Sequence, residues 1–258
     1  MLAEHKTHVE GVLEALRNAR LRLSEAKCVF RTLEMSFVGF RVNRHGIHTE
    51  EKKVKAVRDW PTPKMPTELH GFLGLAGYYR KFVLKFSHRA HLLHDHASKS
   101  KREYVWTSRH ADQFKNLKEA LISSPVLATL NSDADFILRT DVSDMAIGGI
   151  LSQKQMFEGR LVERPLGYFS RKLHAVEARY PAYDQELLAI SANLEHWACY
   201  VHGWKRTTIY MDHASLQHNL GQNKLTRRQW RHLDRLQQHD YKVKYFSGAA
   251  NVVADALS

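Results

Sequence analysis

Apolar residues near the start of the chain recur at helical spacing. Val9, Val12, Leu13 and Leu16 share one face, which predicts a helix from about His5 to Leu23. KCVF and then MSFVGFRV follow. The second is a short run rich in Val and Phe that reads as a strand. Asn43 to Gly46 is turn chemistry. Glu50 to Asp59 fits one short helix. The run WPTPKMP over 60–66 stops it, because proline lacks a backbone donor and restricts the residue before it. Thr67 reads as the N-cap of a helix carrying Leu69, Phe72, Leu73 and Leu75. Lys99 to Glu103 is a charged connector, and another helix spans about Ala111 to Ser123.

The pattern changes beyond Asn131 to Asp133, where polar, turn-forming residues gather. DFILRTDVSD, AIGGILSQ and RPLGYFSRKL read as three strands of an antiparallel meander. A long helix is predicted from Tyr183 to about Val201, with a fourth strand in TTIYMD. A helix that is basic at its start follows from Leu225 to about Asp240, then a fifth strand in YKVKYFSG. NVVADALS begins a last helix. Strands followed by alternating helices and strands define a mixed α/β domain of five strands flanked by helices, behind an α+β N-terminal part.

A length of 258 residues accommodates more than one domain, and a hydrophobic fraction of 43% supports ordinary cores. The formal charge of +12 favours a polyanionic partner, with nucleic acid ahead of an acidic membrane. Cys28 and Cys199 stand far apart and form no CxxC pair, so no disulfide framework or Cys-rich zinc site is expected. No apolar run is long enough to cross a bilayer, and the first residues lack the core of a signal peptide. No membrane partner is expected, and a cytoplasmic or nuclear location follows by default.

Four carboxylates carry the candidate chemistry. Asp141 closes a predicted strand, where it fits a strand-end turn as well as a metal ligand. Glu186 lies one turn before Ile190 and shares the face of Ile190, Leu194, Trp197 and Val201, the face that must pack on the sheet. A carboxylate entering a buried face is paired, protonated or metal-bound, whereas one at a helix N-terminus is also favoured by the macrodipole. Asp212 repeats the strand-end pattern of Asp141, and Asp255 lies in the last helix. Together they form a cluster that repels itself unless a cation neutralises it. Its hard oxygen donors select Mg²⁺, with Mn²⁺ possible, over Zn²⁺. Two such ions suit in-line attack on a phosphodiester. The histidines His88, His91, His94 and His96 are spaced for one helix, but no further ligand cluster accompanies them.

TDVSDMAIGGILSQ, RPLGYFSRKL, Tyr180 with ELLAI to Ile190, MDHASL and NVVADALS follow one another in an order that resembles gypsy-type LTR retrotransposon polyproteins. Upstream, KCVF, FVGF, KVKAVRDWPTP and LHGFLGLAGYYRKFVLKFS resemble the end of a reverse transcriptase palm and its thumb. The resemblance implies a palm remnant over 1–60, a helical thumb over 61–100, a connection over 101–133 and a ribonuclease H-like domain over 134–258. It makes Asp141, Glu186, Asp212 and Asp255 the metal-binding and catalytic set, holding two ions.

The implied activity is hydrolysis of the RNA strand of RNA–DNA hybrids. The alternative is an inactive nucleic-acid-binding fragment or a decaying element. Tyr245 stands where many relatives place a histidine ahead of the last aspartate. The family's Tyr-x-Asp-Asp turn is not found in the chain, so DNA synthesis by the chain alone is not expected. By position the chain reads as a polyprotein fragment. Its implied partners are hybrid, primer–template and polyprotein neighbours such as polymerase fingers and palm or an integrase. The implied setting is a virus-like particle. Phe37 and Gly39 in FVGF resemble a primer-holding hairpin. Tyr79, Arg80, Arg171, Lys172 and Tyr245 are further candidate nucleic-acid contacts, and Arg227, Arg228 and Arg231 form another basic cluster.

Overall fold

A computed structural model describes residues 2–203, 206–211 and 225–245. The chain divides into two compact units, Met1–Met35 and Ser36–Ser258. The first holds α1 (Leu2–Asn18) and a single 3-10 turn at Glu25–Lys27. The helix therefore ends before the Leu23 expected from periodicity. Its apolar face is not buried as that periodicity implies, since Val12 and Leu13 are exposed. So short a unit has too little chain to enclose its own hydrophobic side chains.

Strand β1 (Glu34–Phe37) crosses from one unit into the next, followed by β2 (Phe40–Asn43) and β3 (Gly46–Thr49). MSFVGFRV is thus two strands rather than one. Val38 and Gly39 both take positive φ, 46° and 73°, the left-handed pair that a tight two-residue hairpin turn requires. Antiparallel β2 and β3 close on the Asn43–Gly46 turn predicted from sequence. Next come α2 (Glu51–Arg58) and α3 (Pro66–Tyr78). Met65, not Thr67, caps α3, because Pro66 fits the first helical position, where its missing donor costs nothing. Helix α4 (Phe86–Ala97), which carries the histidines spaced for one helix, precedes α5 (Ser108–Ile122). The latter starts early on a reciprocal cap between Thr107 and His110.

The main sheet has five strands in the order β6-β5-β4-β7-β8. Strands β4 (Phe136–Val142), β5 (Ala146–Phe157) and β6 (Arg160–Lys172) form the expected antiparallel meander. Strands β7 (Thr207–Met211) and β8 (Tyr241–Tyr245) run parallel to β4, so all three end at the same edge. The long helix predicted to reach Val201 is broken at Trp197 into α6 (Ala182–His196) and α7 (Ala198–Val201). Helix α8 is Arg227–Leu236. The last predicted helix, NVVADALS, lies outside the described residues.

Both faces of the sheet are covered. Phe136, Leu138, Leu151 and Ile209 pack with Leu187, Ile190 and Leu194 of α6 and Leu233 of α8. On the other face, Ile150 and Tyr168 join a core of Leu69, Phe72, Phe82, Leu93, Phe114 and Leu117 from α3, α4, α5 and the turn between α3 and α4. One continuous core therefore ties α3–α5 to the sheet, and the geometry of the site below depends on it.

His96 is buried at the end of α4, with its ring 4.2 Å from Tyr104 and 3.9 Å from His110. Neither ring nitrogen has a hydrogen-bond partner. Burial, and then the neighbouring His110 and Lys99, lower its pKa below the ordinary 6.5. A histidine held neutral in the folded state contributes stability that is present above the unfolded pKa. That contribution is lost as pH falls through it, because the unfolded chain then binds the extra proton. The urea midpoint is therefore expected to drop between pH 7.5 and 5.5, and His96→Phe should flatten that slope. A slope unchanged by the substitution would assign the acid sensitivity to other groups.

Candidate active site

Asp141 is the second-to-last residue of β4, with its side chain 51% exposed. It pairs in register with Gly148 of β5, and Gly148 with Ser170 of β6. Glu186 is 7% exposed in the second turn of α6. Ile190, Leu194, Trp197 and Val201 are buried as well, so the shared packing face read from sequence is present.

The course of α6 along the sheet fixes which end Glu186 occupies. Asn193 Nδ2 donates to Gly148 O at 3.1 Å, and a side chain at position 149 would overlap Asn193, so only glycine fits there. Trp197 lies over Gly167, the register partner of Leu151. Advancing along α6 thus means advancing along β5. The first turns of the helix, Glu186 among them, fall where β4 ends and β5 begins. Side chains alternate across a strand, so Asp141 shares the face of Gly148 and Ser170, opposite to α6. Asp141 and Glu186 approach one end of the sheet from its two faces.

Asp212 and Asp255 lie outside the described residues. Asp212 directly follows Met211, the last residue of β7, and β7 neighbours β4. Tyr245 ends β8, is exposed, and pairs in register with Met211. It therefore sits at the same edge of the sheet.

The other sequence-derived contact candidates are distributed differently. Phe37 is exposed beside the Val38–Gly39 turn. Tyr79 is 2% exposed, so its ring cannot stack on a base, and the expected stacking role is corrected to a structural one. Its hydroxyl donates to Gly39 O at 2.9 Å, and Tyr78 donates to Val38 O, so the pair tethers the hairpin turn to the end of α3. Arg80 is directed inward as well, donating to Ser170 O with its guanidinium 5.3 Å from the Phe86 ring centre. Arg171 holds Glu177 through two bonds of 2.9 and 3.1 Å, and Lys172 holds Asp95 at 2.9 Å. Of the basic cluster on α8, Arg228 bonds Asp184 at 3.1 Å and lies over Tyr180 at 3.8 Å, whereas Arg227 and Arg231 are exposed beside the exposed Trp230.

Two residues that sequence reasoning did not single out shape the site. Asp184, buried two residues before Glu186, accepts from Arg228 and from Gln229 at 2.7 Å and so fixes α8 against the start of α6. Lys85 places its Nζ 3.3 Å from Asp141 Oδ2. Neither contact has a local sequence signal, since the partners are brought together only by tertiary packing. Among the described residues, no group of three or more His, Cys, Asp or Glu is placed to hold a metal ion, the α4 histidines included.

Residues 106–209 match the RNase H-like domain found in reverse transcriptase. Over 262 aligned residues the chain is 34% identical to the transposon Tf2-3 and Tf2-4 polyproteins of Schizosaccharomyces pombe, a match covering 99% of this chain and 19% of each relative. The chain thus spans about a fifth of the length of these curated relatives. Two solved structures share its fold. One is the foamy viral protease-reverse transcriptase in complex with dsDNA, with a TM-score of 0.76 and 19% identity over 96% of this chain and 52% of that one. The other is the same kind of protein in complex with RNA/DNA hybrid, with a TM-score of 0.75 and 19% identity over 96% of this chain and 34% of that one.

The five-stranded mixed sheet with its helices is therefore an RNase H-like domain of the reverse transcriptase kind. Residues 106–209 thus carry the RNase H-like domain found in reverse transcriptase, and over 99% of its length the chain is similar to the Tf2 retrotransposon polyproteins.

Proposed function

We propose that the chain is a divalent-metal-dependent ribonuclease H that hydrolyses the RNA strand of an RNA–DNA hybrid. What supports this reading is that Asp141 near the end of β4 and Glu186 near the start of α6 lie toward the same end of the sheet, the end at which β7 also stops. Both described carboxylates supply only oxygen, the donor chemistry that suits Mg²⁺ or Mn²⁺. Asp141, Glu186, Asp212 and Asp255 would hold two such ions. Bound there, the ions would activate water and offset charge on the leaving 3′ oxygen.

The protein's own contribution is positioning. Asp141 is carried near the end of a strand paired there with β5, and Glu186 on a helix whose packing face is buried, so the backbone that carries each carboxylate is fixed. Tyr245, at the same edge, offers a phenol and no imidazole, so proton transfer by a histidine at that position is not part of the proposal.

A nucleic-acid partner is supported by the charge of +12 and by the two solved relatives, which are bound to dsDNA and to RNA/DNA hybrid. Primer–template is a second partner of the same chemistry, held by the Phe37–Gly39 turn. A polyprotein setting, with polymerase and integrase neighbours in a cytoplasmic or nuclear particle, accompanies this reading. Among the described residues no helix is long and apolar enough to cross a membrane.

The reading is tested by offering the purified chain three labelled substrates with Mg²⁺: hybrid, single-stranded RNA and duplex DNA. Cleavage confined to the RNA of the hybrid supports it. Equal cutting of all three, or hybrid binding with no cleavage at any Mg²⁺ concentration, contradicts it.

A further inference from the structure

Lys85 precedes the matched RNase H-like segment by some distance in sequence, yet it touches Asp141. Its place is set by firm anchors. Phe86 is buried beside it, Ser87 N donates to Ser170 Oγ at 3.0 Å, Arg80 donates to Ser170 O, and Arg89 Nε donates to Leu84 O at 3.1 Å. These clamp the start of α4 onto Ser170, which lies in one cross-strand row with Gly148 and Asp141. The middle residue of that row has no side chain, and the only atom near a Cβ built there is Phe169 O at 3.6 Å. The floor between Ser170 and Asp141 is therefore open, and Lys85 Nζ reaches Asp141 Oδ2 at 3.3 Å.

The result is a cleft of about 150 Å³ lined by Lys85, His88, Asp141, Ser143, Gly148 and Ser170. Lys85 and His88 also line a wider groove of about 610 Å³ between α4 and α5, which adds Arg89 and Arg109 against one acid, Asp112. A basic groove that ends at a carboxylate fits the sugar–phosphate backbone of a nucleic acid on its way to the metal ligands.

Resting on the nuclease reading above, we propose that Lys85 is a working residue of that site, supplied from outside the RNase H-like segment. It neutralises Asp141 while no metal is bound, gives way when a divalent cation takes the carboxylate, and then holds a backbone phosphate of the hybrid. The two side chains are 44% and 51% exposed, and ion pairs of that kind are weak, so a divalent ion displaces the ammonium readily. The exchange conserves charge complementarity, because the displaced ammonium and the arriving phosphate are themselves opposite in sign.

The test uses the full chain with Lys85→Asn and Lys85→Arg. Lys85 has φ 55° and ψ 35°, a left-handed conformation that asparagine tolerates well, so the neutral variant should fold. Near-UV circular dichroism checks that. Mn²⁺ binding without nucleic acid is followed by the paramagnetic resonance of the free ion. Hybrid binding is measured in EDTA across a salt series.

Lys85→Asn is expected to bind Mn²⁺ about two- to fivefold more tightly, the competing cation being gone. Its hybrid affinity should fall, with the salt slope reduced by about one. Lys85→Arg should stay near the unmodified protein in both measurements. An unchanged Mn²⁺ constant or an unchanged salt slope in Lys85→Asn overturns the proposal and leaves the nuclease reading intact. Mn²⁺ bound by neither protein overturns both.

Discussion

Asp141→Asn should lower cleavage of the hybrid's RNA strand by about a thousandfold, the scale on which loss of one preorganised electrostatic group acts. The substitution keeps shape and volume and removes only the charge. Asp141 is half exposed, and its part in the sheet is made by its backbone, which pairs in register with Gly148. Its ion pair with Lys85 is of the solvent-exposed kind that contributes little to stability. Folding should therefore be unaffected, as thermal unfolding would show, while single-turnover cleavage collapses. A variant that retains cleavage within about tenfold would remove Asp141 from the metal-binding set and with it the basis of the proposed mechanism.

Phe72→Ala, in the core on the other face of the sheet, should cost about 3–5 kcal/mol. Phe72 is fully buried in α3. Its ring lies 4.5 Å from Phe114 and 5.8 Å from Trp60. Truncation leaves a void between three elements that are held apart by other contacts and cannot close over it. This core extends to Ile150 and Tyr168 of the sheet. The damage should therefore reach the docking of α4 on Ser170 and lower hybrid affinity as well as the urea midpoint. A loss below about 1 kcal/mol would mean that α3 and α5 collapse together and that the core is not the rigid link described here.

The sheet brings carboxylates to its edge, and the α3–α5 core carries basic side chains to the same place. The placement of Glu186 on the buried packing face of its helix was legible in the sequence for a physical reason. A charge on an apolar helix face is costly enough to mark itself, whereas a half-exposed carboxylate at a strand end such as Asp141 is ordinary turn chemistry until its neighbours are known. The meander was legible from turn residues between apolar runs. The division of MSFVGFRV was harder to see, because Val38 takes a positive φ that its side chain disfavours and nothing local announces it.

Tyr79 and Arg80 show the converse limit. Aromatic and basic residues side by side suit a nucleic-acid surface and a buried anchor equally well, and burial decided for the anchor. Lys85 carried no signal at all. A lysine at the start of a helix is unremarkable until Gly148 and Ser170 place Asp141 within its reach. Residues that act through tertiary contact are hidden from periodicity, since their partners lie tens of positions away along the chain.

The most direct measurement is cleavage of a hybrid labelled on both strands, followed through a Mg²⁺ titration that begins in EDTA. The account predicts no cleavage in EDTA, RNA cut with rising Mg²⁺, and the DNA strand left whole. Cleavage that persists in EDTA, or a DNA strand cut alongside the RNA, would contradict it.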